Sequence, residues 1–381
     1  MYKALLVSIV NWDSLIEFPA LLKEGGCTVD IFSTKNSWVL QNKSYETWIQ
    51  GSENHELFVE ELLEFVKKEG DKYDWILPCD DIIIRLLNEK ITSESLFYKT
   101  IPITKIENRD LLGSKAGFSS LCTKYAIKTP RYLIYNGSLT PSAIGSYMQY
   151  PFLMKIDKSE GGFGVFLCEN ENSLTQNLDN TVNKENLVFQ QFIQGYDINV
   201  EVLYKNGELI VYNYSRTLKI MGKFGVSTQR VFYQNREIEN ELIKIGRDLG
   251  ISGFGNVVFM YSEQEKTHYL IEVDVRPNAW MYYGKFTGNN FSEGVKKIIK
   301  GDLTLLQPNP NFAYKQVNIK LYKKDVYRCL VEKDFKGLLG WFINKDNCWR
   351  YIPFHDRKLL RACNKYLFSS FWELLVSRIK K

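Results

Sequence analysis

The sequence predicts an α/β fold, and two observations carry that reading. Short apolar strands alternate with amphipathic helices over about the first 105 residues, the order that builds a parallel, doubly wound sheet. Further along, strands alternate strictly between apolar and polar residues, as strands covered on one face do. The chain has 381 residues, enough for two or three domains. Its 45% hydrophobic and 24% charged content excludes disorder, collagen and coiled coil.

The opening is βαβ: a strand Ala4 to Val10, a helix from about Leu15 to Lys23 ending at Gly25-Gly26, and a strand Thr28 to Phe32. Between the first strand and helix stands Ser8-Ile9-Val10-Asn11-Trp12, so the glycine fingerprint of dinucleotide binding is absent. A helix His55 to Glu69 leads to a strand Trp75 to Pro78. Asp80-Asp81 then opens a helix to Asn88, and the pair reads either as a helix N-cap or as functional carboxylates. Residues 109 to 127 are expected to be helical. Strands follow at Arg131 to Tyr135, Phe152 to Ile156, Val165 to Cys168 and Leu187 to Phe192. Gly195 breaks the pattern, and Ile198 to Leu203 with Leu209 to Tyr214 form a hairpin across Lys205-Asn206-Gly207. A helix Glu237 to Leu249 and the strands Asn256 to Tyr261 and Tyr269 to Val275 complete the central block.

Seven scattered cysteines form no CxxC, and the three histidines share no metal-ligand spacing. Disulfide frameworks, zinc sites and a Ser/His/Asp triad are therefore disfavoured, which leaves carboxylates and lysines to carry chemistry. Asp13 and Glu17 interrupt the N-terminal apolar stretch where a signal peptide would be uniform, so a cytoplasmic location is expected. Charge is segregated. Residues 305–381 hold 16 Lys+Arg against 6 Asp+Glu, or +10, while 1–304 hold 33 against 38, or −5. A chain-wide nucleic-acid surface does not fit that asymmetry. The basic, aromatic-bearing end reads either as a unit packed on the body or as a dock for an anionic membrane or glycolipid.

Three places bear chemistry. Lys155 ends the strand Phe152 to Ile156, and Gly161, Gly162 and Gly164 follow in the turn. A GGxG turn between strands is either a hairpin or a phosphate cradle, since glycine lets backbone N–H groups approach phosphate oxygens. On Tyr269 to Arg276, Glu272, Asp274 and Arg276 share one face; carboxylates two residues apart on a strand lie roughly 6.6 Å apart. That pair suits either Mg²⁺ bound jointly with nucleotide phosphates or a solvated salt-bridge ladder. Lys219, Lys223 and Arg230 lie in SRTLKIMGKFGVSTQR, either a solvated loop or a holder of a substrate carboxylate or phosphate.

LLGSKAGFSSLCTKYAIKTP, YPFLMKIDKSEGGFGV, VFQQFIQGYDINVEVL, GFGNVVFM and YLIEVDVRP, in this order after a βαβ start, resemble the ATP-grasp superfamily. Within it the chain is most similar to the branch of the carbamoyl-phosphate synthetase large chain, over about residues 1 to 300. The resemblance implies a pre-ATP-grasp domain at 1–108 and an ATP-grasp domain at 109–304 with a lid at about 128–190; the basic extension at 305–381 lies beyond it and matches no part of the family. The resemblance also implies ATP and Mg²⁺ or Mn²⁺ as cofactors, small-molecule carboxylate and amine substrates, and ligation through an acyl phosphate. Lys115 and Lys155 then correspond to phosphate-binding lysines and Gly161, Gly162 and Gly164 to the lid loop. Gln190 corresponds to the adenine-amino contact, Ile193 to the backbone contact with the ring, and Asp197 to the ribose acid. Glu272 and Asp274 match the metal pair, with Asp274 in place of the usual Asn, and Arg276 matches the arginine on the reacting phosphate. Acceptor recognition falls near Lys219, Lys223 and Arg230. The pattern departs at Val258, where a further acidic or amide metal ligand is common, and Asn256 faces the same way. The rival readings are a nucleotide-binding protein without ligase activity and a membrane-surface scaffold; the substrates' identities and the oligomeric state stay open.

Overall fold

The computed structural model describes residues 2–159, 164–181, 187–222, 225–312 and 315–379. Three sheets organise it. The first holds β1 (Tyr2–Ser8), β2 (Cys27–Ser33), β3 (Thr47–Gln50) and β4 (Trp75–Pro78), all parallel in the order β3-β2-β1-β4. Strand β1 reads as a continuous apolar run because both of its faces are buried. Leu5 and Val7 pack on one side with helix His55–Glu69, and Ala4 and Leu6 on the other with helix Phe18–Glu24. Helices on both faces make the sheet doubly wound.

The second sheet is small and antiparallel: β5 (Tyr132–Tyr135), β6 (Phe152–Lys155), β7 (Val165–Cys168) and β8 (Leu187–Gln191), in the order β5-β8-β6-β7. Phe152, Met154, Leu187 and Phe189 face helices Pro141–Met148 and Glu171–Asp179, which answer with Ile144, Met148, Leu174 and Leu178. The period of two then sends Leu153, Lys155, Val188 and Gln190 to the opposite face.

The third sheet holds β9 (Gly195–Lys205), β10 (Glu208–Ile220), β11 (Ser227–Phe232), β12 (Gly253–Ser262), β13 (Thr267–Asp274) and β14 (Val317–Lys320), ordered β13-β12-β9-β10-β11-β14. Ile198, Val200 and Val202 of β9 lie in one core with helices Lys115–Lys124 and Glu239–Leu249. Asp197, Asn199 and Glu201 take the other face. Between β9 and β10, Asn206 (φ +52°) and Gly207 (φ +83°) are both left-handed, as the two-residue turn of a twisted hairpin requires.

The structure moves several expected boundaries. The helix expected from Leu15 begins at Phe18, after a separate 3₁₀ turn Asp13–Leu15, with Pro19 in its first turn. The stretch 109–127 divides into a 3₁₀ segment Ile106–Leu111 and helix Lys115–Lys124, because Gly113 is left-handed and Ser114 caps the second helix. Gly195 starts β9 rather than interrupting a strand. A Cβ there would sit 1.8 Å from the Tyr261 carbonyl, so glycine is what lets β9 pair with β12 at this point.

The basic extension is joined to the body. Its β14 is an edge strand of the large sheet, and helices Tyr322–Val331, Phe335–Phe342 and Arg357–Ile379 follow. Asp325, fully buried, accepts from Thr228 Oγ1, Gln229 Nε2, Trp341 Nε1 and Arg328 Nε at 2.8–3.1 Å. A buried ion pair satisfied this completely fixes where the extension docks on β11.

Candidate active site

The second and third sheets face each other across a cleft of about 470 Å³, which Asp81, Ile84 and Arg85 of the helix after β4 also line. Lys155, last residue of β6, reaches in from the small sheet. Its Nζ donates to Gln190 Oε1 at 2.6 Å, and it is almost wholly buried. Burial pushes this ammonium down to about 8, Glu272 across the cleft pulling the other way. Lys115, at the start of its helix, donates to the carbonyls of Asp157 and Ser159 at 3.0 and 2.5 Å. Asp157 also accepts from Ala116 N and Ser114 Oγ, which ties this helix terminus to the segment after β6. Gly117 is obligatory in that arrangement, since a Cβ would lie 2.2 Å from the Asp110 carbonyl.

The large sheet supplies the opposite wall. Glu272 and Asp274 of β13 line it, with Val258 and Asn256 of β12 paired directly opposite them in register. Arg276, just past β13, donates from Nε to Asp81 Oδ1 at 2.6 Å and from Nη2 to Asp274 Oδ2 at 3.3 Å, and its guanidinium lies over the Trp12 ring. Burial pushes the Asp274 carboxyl well up, with Arg276 opposing and Glu272 and Asp81 adding to the rise. Asp197 accepts from Thr217 Oγ1 at 2.6 Å and Asn199 Nδ2 at 2.8 Å, which fixes its carboxylate at the cleft edge.

Of the residues singled out in the sequence, the cleft collects Lys115, Lys155, Gln190, Asp197, Glu272, Asp274 and Arg276. Gln190 meets Lys155 rather than standing apart from it. Ile193 is buried in the connection Phe192–Gln194 between β8 and β9. Gly164 is left-handed at φ +82° and its carbonyl accepts from Ile156 N; Gly161, Gly162 and Lys223 lie outside the described residues. The expected cluster of Lys219, Lys223 and Arg230 is not assembled among the described residues. Lys219 is exposed on β10, while Arg230 is buried on β11 with Nη1 on Glu201 at 2.6 Å and Nη2 on Asn199 at 3.0 Å. An arginine taken out of water must be paired, and Glu201 does that.

Sequence reasoning left Asp81 as one of two readings of the Asp80-Asp81 pair and missed Trp12 as a site residue. Of the Asp80-Asp81 pair, Asp80 is the N-cap, accepting from Ile83 N and also from Ile9 N at the end of β1. Asp81 is the residue that enters the cleft. The available signal was position, because both loops follow the carboxyl ends of parallel strands, where α/β sites gather.

Comparison with known proteins bears on the fold that carries this cleft. Residues 118–279 match the model of the ATP-grasp domain. This segment is an ATP-grasp domain. The chain is 24% identical over 220 residues to a carbamoyl-phosphate synthase of Methanobrevibacter smithii, a match covering 55% of the chain and 59% of that relative's length. It shares its fold with N5-carboxyaminoimidazole synthetase of Staphylococcus aureus (TM-score 0.64, 15% identity, 88% of this chain and 86% of that one). The biotin carboxylase domain of Hydrogenobacter thermophilus 2-oxoglutarate carboxylase, solved with MgADP, gives 0.60 at 17% identity over 84% and 73% of the two chains. An L-amino acid ligase of Bacillus licheniformis gives 0.58 at 14% identity over 84% and 80%.

Proposed function

We propose that this protein is an ATP- and Mg²⁺-dependent ligase that joins a small-molecule carboxylate to an amine. The observation that carries the reading is the convergence of three cations, Lys115, Lys155 and Arg276, with two carboxylates, Glu272 and Asp274, on one cleft between two sheets. Such a set neutralises a triphosphate, and phosphoryl transfer asks the protein chiefly for positioning and charge balance. Glu272 and Asp274 offer hard oxygen donors, which fits Mg²⁺ or Mn²⁺ shared with phosphate oxygens. Among the described residues no group of three or more His, Cys, Asp or Glu forms a closed metal site, so the remaining ligands would be phosphate and water. A bound divalent ion would supply charge neutralisation at the phosphates.

In this reading Lys155 and Lys115 hold the phosphates, Gln190 and Asp197 line the adenine and ribose end, and Ile193, in the connection after β8, offers its backbone to the ring. Arg276 holds the transferring phosphoryl group, with Asp81 and Trp12 as its positioning residues. A substrate carboxylate oxygen bonds to the γ-phosphorus as the bond to ADP breaks. The amine nitrogen then attacks the acyl carbon, and inorganic phosphate departs. No side-chain nucleophile takes part. The same reading places the protein in the cytoplasm, supported by seven buried, unpaired cysteines.

A second reading, nucleotide binding without ligation, is favoured by Val258, an apolar residue directly opposite Glu272. ADP release measured against a panel of carboxylates and amines separates the two. Turnover that needs one of each supports the ligase, and ATP binding with no turnover across the panel supports the binder.

A further inference from the structure

The extension packs on the body with one set of side chains and leaves another in solvent. Trp341, Leu359 and Leu367 are buried, whereas Phe335 is 73% exposed, Phe342 80%, Phe368 70% and Trp372 60%. On helix Phe335–Phe342 the exposed Phe335, Leu339 and Phe342 recur at i, i+4 and i+7, a single face. On helix Arg357–Ile379 the exposed Arg361, Lys365, Phe368 and Trp372 recur at i, i+4, i+7 and i+11, a stripe that runs from basic to aromatic.

The charge around these aromatics is positive. Lys333, Lys336, Lys345, Arg357, Arg361 and Lys365 are exposed. Of the neighbouring acids, Asp334 pairs with Arg328, Asp346 with Lys320, and Asp356 accepts from the backbone N–H groups of Lys43 and Lys358, while Glu373 beside Trp372 is exposed, one acid against these six bases. No helix among the described residues is long and apolar enough to cross a membrane.

We propose that these two helices dock the protein on an anionic phospholipid surface. The aromatics would enter the boundary between headgroups and acyl chains, and the lysines and arginines would lie among the phosphates. Charge complementarity chooses this occupant. A second copy would bring the same positive patch against itself, because a two-fold interface uses one surface twice. A folded partner needs apolar pockets spaced to match, whereas a fluid headgroup layer accepts separate aromatic side chains at any spacing.

The test is co-sedimentation of the full chain with vesicles of phosphatidylcholine alone and of phosphatidylcholine mixed equally with phosphatidylglycerol. Pelleting is expected with the anionic vesicles at about 0.1 M salt and is expected to fade at about 1 M, where the Debye length shortens from roughly 10 to roughly 3 Å. The pair Arg361→Glu and Lys365→Glu should lower vesicle affinity roughly tenfold or more. Phe335→Ser with Phe342→Ser, and Phe368→Ser with Trp372→Ser, should lower it with the melting temperature unchanged, since these side chains support no core. If an aromatic variant melts early, the charge-reversed pair carries the test alone. Absence of pelleting with anionic vesicles at low salt, equal pelleting with neutral ones, or full binding by the charge-reversed pair overturns the proposal. So does a dimer seen by light scattering that the same substitutions dissolve, which would assign the face to a second copy.

Discussion

At the scale of single residues, Lys155 ties the proposed chemistry to a titration. Burial holds its ammonium at about 8, so ATP affinity should be nearly flat below pH 7 and fall close to tenfold between pH 7 and 9 as the cation is lost. Calorimetry across that range checks the slope, and a flat profile removes Lys155 from the phosphates. Lys155→Ala should weaken ATP binding by about 1.5 to 3 kcal/mol, the worth of one charge-assisted hydrogen bond. The metal carries a second expectation. Glu272→Gln should remove Mg²⁺-dependent turnover, and Val258→Glu, placing a carboxylate directly opposite Glu272, should raise the melting temperature on adding Mg²⁺ more than wild type does. An equal Mg²⁺ shift in both proteins would put the metal elsewhere. Glu272, Asp274 and Arg276 were legible in the sequence because a strand's period of two puts them on one face whatever surrounds it. The pairing of Asp81 was not. Its partner Arg276 lies 195 residues away, and no local pattern encodes a pair at that distance.

At the scale of elements, the strands that read clearly are those with buried faces, such as β1, β12 and β13. Those that did not are β3, β11 and β14. Strand β3 is short, mostly exposed and at the edge of the first sheet with no alternation, and β14, at an edge of the large sheet, alternates over only Val317, Asn318, Ile319 and Lys320, too few residues to mark a strand. Strand β11 carries Thr228, Arg230 and Phe232 buried alike, polar and apolar residues whose shared environment only the fold reveals. Helix ends were misjudged where side chains decide them, as Ser114 does after Gly113. Gly195 shows how tightly the cleft depends on such details, because the segment from β8 into β9 leads from the small sheet to the large one. Gly195→Ala would drive a Cβ into the Tyr261 carbonyl and must shift either β9 or β12. A loss of about 2 kcal/mol or more in unfolding free energy is expected, with weaker ATP binding because Asp197 sits two residues on. Wild-type stability and affinity in the alanine variant would mean that this crossing yields more readily than its geometry implies.

At the scale of the whole molecule, the beginning, middle and end of the chain meet around one buried carboxylate. Glu17 stands just before helix Phe18–Glu24, lines a small cavity with Tyr283, Tyr322 and Cys363, and lies 3.9 Å from His355 Nε2. Nearby, Lys323 and Lys324 of the extension pair with Asp13 at 2.8 and 3.1 Å, so the extension is held by the N-terminal domain as well as by β11. Burial pushes Glu17 up to about 7, with a hydrogen bond from Tyr283 opposing. The sign of the consequence follows from proton binding. Between the ordinary carboxylate range and pH 7 the folded protein holds a proton that the unfolded chain has released, so stability falls as pH rises through that window and stays low above it. A rise from 4.5 to about 7 makes the cost at pH 8 of order 3 kcal/mol. Glu17→Gln keeps the shape and never ionises. It should therefore raise the melting temperature at pH 8 and change it little at pH 5, where wild-type Glu17 is already largely neutral in the folded state. Melting curves of both proteins at the two pH values decide it. An equal shift at both would mean that the substitution acts through packing, and that this junction of three chain segments does not hold a strained charge.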